Sequence, residues 1–194
     1  MEKKYKIIAI IGQSGCGKDT VLNETVARHP DVCSRIINCT TRPMRDYEKD
    51  GVDYHFMPVS GFTREVLNGN MLEATEYNDW FYGTDINALT PNKINIGIFS
   101  PAAVEALLQD NRLDVDVVRV VTANKTRLQR ALNREDVPDC TEICRRYLAD
   151  EKDFADLDFD YWIVENYEGT RLECLDLFYC SNSLDFLNDI LKDL

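Results

Sequence analysis

Residues 12–18 read GQSGCGK, and their position between an apolar run and a helical pattern constrains the fold more than any other feature. The spacing of Gly12, Gly17 and Lys18 is typical of a phosphate-binding loop, whose glycines let successive backbone N–H groups face an anion. The positive end of the following helix attracts the same anion, and the ammonium group of Lys18 reaches its terminal phosphates. The sequence therefore predicts a strand, loop and helix unit that binds a nucleotide.

The residue after the lysine departs from the usual pattern. A Ser or Thr hydroxyl normally binds Mg²⁺ at this position, but here it is Asp19. Its carboxylate either lies beside the metal ion, directly or through water, or caps the helix, and both roles stay open. The candidate nucleotide-binding residues are Gly12, Ser14, Gly15, Cys16, Gly17, Lys18, Asp19 and Thr20.

Apolar runs and helical patterns alternate along most of the chain. We expect helices after the loop and after residue 100, the latter with proline in its first turn, and another after a possible Asn124 cap. The alternation predicts a single α/β domain with three layers and a parallel central sheet. The expected strands are residues 6–11, 35–38, 94–99, 115–121 and 161–164, and the expected helices are residues 19–28, 101–109, 125–133 and 141–154.

A polar segment, residues 39–88, interrupts this alternation and is the expected acceptor-binding lobe. Within it, residues 71–77 and 80–82 are expected to pair as a hairpin. The core is then formed by about residues 1–38 and 89–194.

The composition excludes several classes of protein. A net charge of −12 argues against a nucleic-acid partner, which needs a basic surface. Residues 135–194 carry 17 acidic and 5 basic side chains, and we expect solvated helix surfaces there, for example at 147–157 and 184–194. The apolar run at residues 7–11 is too short for a signal peptide or a membrane span. Seven scattered cysteines without an export signal predict reduced thiols and a cytoplasmic location.

An anion clamp is the first candidate on the acceptor side. Residues 40–45 read TTRPMR and are followed by Tyr54. The guanidinium groups of Arg42 and Arg45 are suited to binding phosphate oxygens in pairs, and a phenol adds a hydrogen bond. Taken alone, this pattern is weak, because arginines in loops are usually solvated surface residues.

Four motifs in order resemble guanylate kinase: the loop GQSGCGK, TTRPMR, the segment from Glu48 to Phe56, and Glu73 nine residues before YGT at 82–84. The resemblance covers about residues 5–166. It implies that Glu73 and Thr84 read the base, because guanine offers N1–H and an amino group to a carboxylate while its O6 needs a donor. The acceptor-binding residues that it implies are Asn38, Arg42, Arg45, Tyr54, Glu73, Tyr82 and Thr84.

The same resemblance implies which reaction is catalysed and which arginines take part in it. ATP donates the phosphoryl group, Mg²⁺ assists, and GMP or dGMP accepts it in a monomer or homodimer. Phosphoryl transfer depends on positioning and charge stabilisation, so no catalytic base is required. A lid at about residues 134–142 excludes water. The implied catalytic residues are Lys18, Arg130, Arg134, Arg145 and Arg146.

The chain also departs from this family. Asn38 stands where a serine is usual, and Gly97 and Phe99 stand where two aspartates are typical. We expect Asp19 to replace part of the missing negative charge. Two alternatives remain: a sugar phosphate kinase similar to ribose 1,5-bisphosphate phosphokinase, and a non-catalytic guanylate-kinase-like interaction module.

Overall fold

A parallel five-stranded sheet forms the centre of the protein, with its strands in the order 33–35, 94–98, 5–11, 113–121 and 162–165. The computed structural model describes residues 5–46, 48–77, 79–134, 136–167, 170 and 176–177. The described strands are β1 (Tyr5–Ile11), β2 (Cys33–Arg35), β3 (Cys39–Thr40), β4 (His55–Phe56), β5 (Met71–Tyr77), β6 (Trp80–Asp85), β7 (Ile94–Ile98), β8 (Leu113–Val121) and β9 (Trp162–Glu165).

The helices cover the sheet on both sides. They are α1 (Lys18–Arg28), α2 (Val59–Leu67), α3 (Pro101–Gln109), α4 (Asn124–Leu132) and α5 (Cys140–Asp153), with a 3₁₀ turn at Ile86–Ala88. On β1, Ile8 and Ile10 pack with α1, whereas Ile7 and Ile11 belong to the core that includes α3. Strand β1 is buried because successive side chains enter opposite cores. The predicted three-layer α/β fold with a parallel sheet is therefore confirmed.

A second sheet lies within residues 39–85 and has strand order β4-β3-β6-β5. Strands β5 and β6 pair in an antiparallel hairpin, as predicted, and β6 continues onto β3. Phe62 of α2 is buried and its ring stacks on Phe81 at 5.7 Å between centroids. This ring contact joins α2 to β6 within the polar segment, whereas Leu72 of β5 packs into the core on the α3 side of the parallel sheet.

Two local expectations were wrong. Helix α4 begins at Asn124 and has Ala123 as its N-cap, because the Asn124 side chain accepts a hydrogen bond from Arg127 (2.9 Å) instead of capping. Strand β2 ends at Arg35, although Ile36 N–H still donates to Ile96 O (2.8 Å). Residues 184–194 lie outside the described residues. No helix in the described part of the chain is long and apolar enough to cross a membrane.

Candidate functional site

The loop at residues 12–17 joins β1 to α1 and has the backbone that its glycines predict. Gly15 and Gly17 have φ values of 80° and 95°, in the left-handed region that side chains disfavour. A Cβ at Gly15 would lie 2.7 Å from the Arg127 carbonyl oxygen. The loop therefore packs directly on α4, and glycine is required for both reasons.

Three consecutive carbonyl groups of the loop are held by donors from α4 and the end of β9. Arg127 donates to Ser14 O (3.1 Å) and Arg130 to Gly15 O (3.3 Å), and Asn166 Nδ2 donates to Cys16 O (2.8 Å). In a trans peptide the N–H of the next residue points away from the carbonyl oxygen. These donors consequently turn the N–H groups of residues 15 and 17 toward the other side of the loop.

Lys18 folds over the loop. Its Nζ donates to Gly12 O (2.6 Å) and Gln13 O (3.3 Å). Helix α1 begins at Lys18 with Gly17 as its N-cap, and no side chain caps it. Asp19 therefore does not cap the helix; it is an exposed first-turn residue beside Lys18.

Three clefts of about 640, 660 and 400 Å³ surround these residues. Lys18 lines both of the first two clefts, so the phosphate loop and the second sheet border the same space. Of the predicted site residues, the clefts are lined by Gly12, Ser14, Gly15, Lys18, Asp19, Asn38, Arg42, Arg45, Tyr54, Glu73, Tyr82, Arg134 and Arg146.

The other predicted residues lie elsewhere. Cys16 is buried beneath the loop, where burial raises the pKa of its thiol. Thr20 is exposed on α1, and Arg130 contacts the carbonyl side of the loop. The cleft linings do not include Cys16, Gly17, Thr20, Thr84, Arg130 or Arg145.

The two arginines of the clamp have different environments. Arg42 is buried and makes a bidentate pair with Glu48, with N–O distances of 2.7 and 3.0 Å. Its guanidinium lies 5.6 Å from the ring centroids of both Tyr54 and Phe56. The hydrogen bonds from Arg42 hold the pKa of Glu48 below its usual value. The Arg45 side chain is 45% exposed and lines all three clefts.

Glu48 is a site residue whose role sequence reasoning missed. Its Oε2 also accepts from Arg45 N–H (2.8 Å), so one carboxylate fixes both arginine positions. The available signal was a glutamate six residues after Arg42 within the acceptor motif.

Replacing Glu48 with Gln should destabilise the protein by about 3–5 kcal/mol, because the buried Arg42 guanidinium loses its counter-charge. Urea denaturation of the variant and the parent protein measures this change in the free energy of unfolding. Glu24→Gln is the matched control, since Glu24 pairs with Arg28 on the surface of α1 and should contribute less than about 1 kcal/mol. Equal losses in both variants would contradict a special role for the buried pair.

Glu73 provides a buried carboxylate at the cleft. It is 7% exposed, its Oε1 accepts from the Thr84 hydroxyl (2.8 Å), and burial raises its pKa to about 7. The second oxygen, Oε2, is buried without a hydrogen-bond partner among the described residues. A buried acceptor of this kind normally has a partner, so Oε2 retains the capacity to accept one more hydrogen bond.

Thr84 lies beneath Glu73 and is fully buried. Its hydroxyl is 2.8 Å from Glu73 Oε1 and 3.1 Å from Asn38 Oδ1, and it has one hydrogen for both. Asn38 in turn donates to Ile98 O (3.1 Å). This chain of hydrogen bonds orients Glu73, so Thr84 is placed to support that carboxylate and not to line the cleft.

Helix α5 brings two more of the predicted arginines near the clefts. Arg146 lines the second and third clefts, and its Nε donates to Glu142 (2.6 Å). Arg145 also pairs with Glu142 and donates to the Tyr77 hydroxyl (2.7 Å), which links α5 to β5. Hydrogen bonds from Arg145 and then from Arg146, together with their positive charges, outweigh the opposing effect of partial burial and lower the pKa of Glu142 to about 2.

The end of β7 contains no carboxylate. Phe99 is buried in the apolar core, and a Cβ at Gly97 would lie 2.8 Å from its ring. An aromatic ring therefore occupies the space beside Gly97.

The described residues contain no group of three or more His, Cys, Asp or Glu side chains able to hold a metal ion. Asp19 nevertheless fits Mg²⁺, because this ion commonly uses one or two carboxylates together with substrate phosphates and water. Its position beside Lys18 in the first cleft satisfies that requirement.

Comparison with known proteins agrees with these features. The profile of the family described as guanylate kinase matches residues 4–176. A guanylate kinase of Helicobacter hepaticus is 30% identical over 180 residues, which cover 89% of this chain and 88% of that protein. One of Campylobacter jejuni strain RM1221 is 26% identical over 175 residues, covering 85% of each.

A solved structure has the same fold. The crystal structure of guanylate kinase from Anaplasma phagocytophilum aligns with a TM-score of 0.59 and 16% identity, covering 98% of this chain and 87% of that chain. The profile matches most of the chain, a relative is similar over nearly its whole length, and the phosphate loop lies beside an arginine-lined cleft. We conclude that this chain belongs to the guanylate kinase family.

Proposed function

We propose that this protein transfers the γ-phosphoryl group of ATP to GMP or dGMP, giving ADP and GDP or dGDP. The observation that carries this proposal is Glu73, whose buried oxygen lacks a partner among the described residues and belongs to a cleft shared with Lys18. Guanine supplies two adjacent donors, N1–H and the 2-amino group, for one carboxylate. Glu73 therefore selects guanine over bases without that donor pair.

The donor nucleotide binds at the loop. The N–H groups of Gly15 and Gly17 face its phosphates, and the Lys18 ammonium moves from the Gly12 carbonyl to the β- and γ-phosphates. Arg127, Arg130 and Asn166 hold the opposite side of the loop. We assign Arg130 this supporting position in place of direct contact with the transferring group.

The acceptor phosphate binds at the second sheet. Arg45 is the accessible guanidinium, and the phenols of Tyr54 and Tyr82, whose rings lie 6.0 Å apart, add donors. Arg42 already pairs with Glu48. It therefore orients the other phosphate-binding side chains and donates to the phosphate only from its remaining N–H groups.

The transfer forms a bond between an acceptor phosphate oxygen and the γ-phosphorus and breaks the bond to ADP. Lys18, Arg134 and Arg146 line the clefts where negative charge spreads over the transferring group. Arg145 reaches this region only if it leaves Tyr77. Asp19 would hold Mg²⁺ together with phosphate oxygens, and the ion would supply positive charge there. Residues 134–142 close as a lid against water.

A coupled ADP-release assay over GMP, dGMP, AMP, CMP, UMP and ribose 1,5-bisphosphate tests the proposal. We expect turnover with guanine nucleotides and little with the others. Turnover of the sugar phosphate alone would overturn it. ATP binding without turnover of any acceptor would also overturn it and would favour an interaction module.

Asp19→Ser should raise the Mg²⁺ concentration needed for half-maximal turnover by on the order of tenfold, because a neutral hydroxyl replaces a carboxylate ligand. The measurement is the initial rate at fixed ATP and GMP over a Mg²⁺ series. Asp53→Ser is the matched control, since Asp53 lines the same cleft but accepts from Lys49 N–H (2.8 Å). If the Mg²⁺ dependence of Asp19→Ser were the same as that of the parent protein, Asp19 would have no role in binding Mg²⁺.

A further inference from the structure

Helix α5 carries Arg146 to the second and third clefts with little apolar burial of its own. All residues of α5 lie within the described part of the chain, and none of them is buried. Phe154 follows the last residue of the helix and is 8% exposed, so apolar packing secures that end. The rest of α5, including Arg146, is therefore positioned mainly by polar contacts.

Two consecutive carboxylates of α5 bind the phosphate loop. Asp150 Oδ2 accepts from Ser14 N–H at 2.7 Å. Glu151 Oε1 accepts from the side-chain amide of Gln13 at 2.8 Å. Lys18 Nζ lies 3.3 Å from Gln13 O, so in this trans peptide the Ser14 N–H points to the other side of the loop. Helix α5 thus holds the loop from the side away from Lys18 and leaves the phosphate-binding side open.

Arg127 of α4 stabilises both contacts. Its side chain is 1% exposed, its Nη2 donates to Asp150 Oδ2 at 3.1 Å, and its Nε donates to Ser14 O at 3.1 Å. Its Nη1 reaches Glu151 Oε1 at 3.3 Å, and the guanidinium lies 5.0 Å from the centroid of the Tyr147 ring. Breaking these ion pairs would leave a buried guanidinium without its counter-charges. Arg127 therefore holds α4, α5 and the loop in one arrangement.

Asp150 and Arg146 share one face of α5. They are four residues apart, which in an α-helix places their Cβ atoms about 5–6 Å apart, one turn along the same side. Both line the second cleft together with Lys18. A shift of α5 at Asp150 therefore moves Arg146 relative to Lys18 by a similar amount.

We propose that Asp150, with Arg127 as its counter-charge, is a positioning residue that sets where the Arg146 guanidinium lies relative to the phosphate loop. This inference rests on the proposed role of Arg146 at the transferring phosphoryl group. Arg146 stabilises the developing charge only when it is held in place, since a misplacement of about 1 Å can lower a rate by on the order of 10²-fold. Asp150 acts through Arg146 and needs no contact with either nucleotide.

Asp150→Leu removes the anchor and keeps a side chain of similar length. The second variant combines it with Arg127→Met, so that no buried charge is left unpaired and the fold is retained. In both variants, kcat with GMP should fall by on the order of 10–10²-fold. ADP affinity, measured by titration calorimetry without acceptor, should change by less than about threefold, because Arg130 and Asn166 still hold the loop.

A double-mutant cycle with Arg146 separates positioning from a general structural effect. Arg146→Ala should lower kcat by on the order of 10²–10³-fold. Adding Asp150→Leu to it should lower kcat by less than about twofold more, because the positioned group is already absent. Asp153→Leu is the matched control and should keep kcat within about twofold of the parent, since Asp153 is exposed on the same helix and lines the same cleft without contacting the loop.

Three results would overturn the proposal. The first is that the losses from Asp150→Leu and Arg146→Ala multiply in the combined variant. The second is a kcat similar to that of the parent in both variants that carry Asp150→Leu. The third is an equal loss of kcat in Asp153→Leu. Absence of turnover in the parent protein with any acceptor would instead overturn the proposed function, and this inference with it.

Discussion

Lys18→Ala is expected to reduce kcat by on the order of 10²–10³-fold, because it removes a preorganised positive charge at the transferring phosphoryl group. The ammonium group lies 2.6 Å from Gly12 O and lines both larger clefts, so it is already placed between donor and acceptor space. Steady-state kinetics with saturating GMP measures the loss. Direct titration with GMP should show little change, since Glu73 and the acceptor arginines remain.

Lys93→Ala provides the matched control for this prediction. Lys93 Nζ also donates to a backbone carbonyl, Pro30 O, at 2.7 Å, but it lies on an exposed part of the surface. Its removal should leave kcat within about twofold, because it contributes no charge to the clefts. If Lys18→Ala retained more than about a tenth of the parent kcat, the expected electrostatic role would be wrong.

Glu73→Gln is expected to stabilise the protein and impair its activity at the same time. Burial raises the pKa of Glu73 from 4.5 to about 7, so the folded protein holds a proton that the unfolded chain releases between these values. The free energy of unfolding therefore falls as pH rises through this window, by up to about 3 kcal/mol, and levels off above pH 7. The variant should lose this dependence and be more stable at pH 8.

Activity should change in the opposite direction. The Gln amide offers one acceptor oxygen and two N–H donors, so it cannot accept from both guanine donors. We expect kcat/KM for GMP to fall by on the order of 10²–10³-fold, with much smaller changes for AMP. In the parent protein, GMP affinity should rise from pH 6 to 8 as Glu73 ionises, and the variant should lack this rise.

The measurements are urea denaturation at pH 5 and 8 and kinetics with each nucleotide. Glu76→Gln is the control on the same strand, because Glu76 lines the cleft but is exposed. An equal loss of activity for GMP and AMP would contradict base recognition by Glu73. A stability difference that does not vary with pH would contradict its buried ionisation.

The fold was predictable because its signals are local. The loop glycines, the apolar runs of β1, β7 and β8 and the proline at the start of α3 each determine the structure of a short segment. Pro101 even follows Ser100, whose side chain caps the helix by accepting from Ala103 N–H. The motifs also predicted many of the residues that line the clefts, although Thr84, Arg130 and Arg145 do not line them.

The partners of those residues were not predictable, since they depend on distant contacts. Arg127 is a helix residue that sequence alone allows to be solvated, yet it is buried against Ser14, 113 positions earlier. Asp150 belongs to an acidic segment expected on the surface, but it pairs with Arg127 and the loop. Burial of opposite charges together follows from how α4 and α5 meet, which no local pattern encodes.

The contact between Gly97 and Phe99 has a consequence for how this cleft can change during evolution. Aspartate at Gly97 alone would place its Cβ 2.8 Å from the Phe99 ring. Aspartate at Phe99 alone would put a carboxylate where the side chain is 6% exposed and leave a cavity. Either order of mutation therefore passes through a destabilised protein, so the two positions are expected to have diverged together and to resist stepwise reversion.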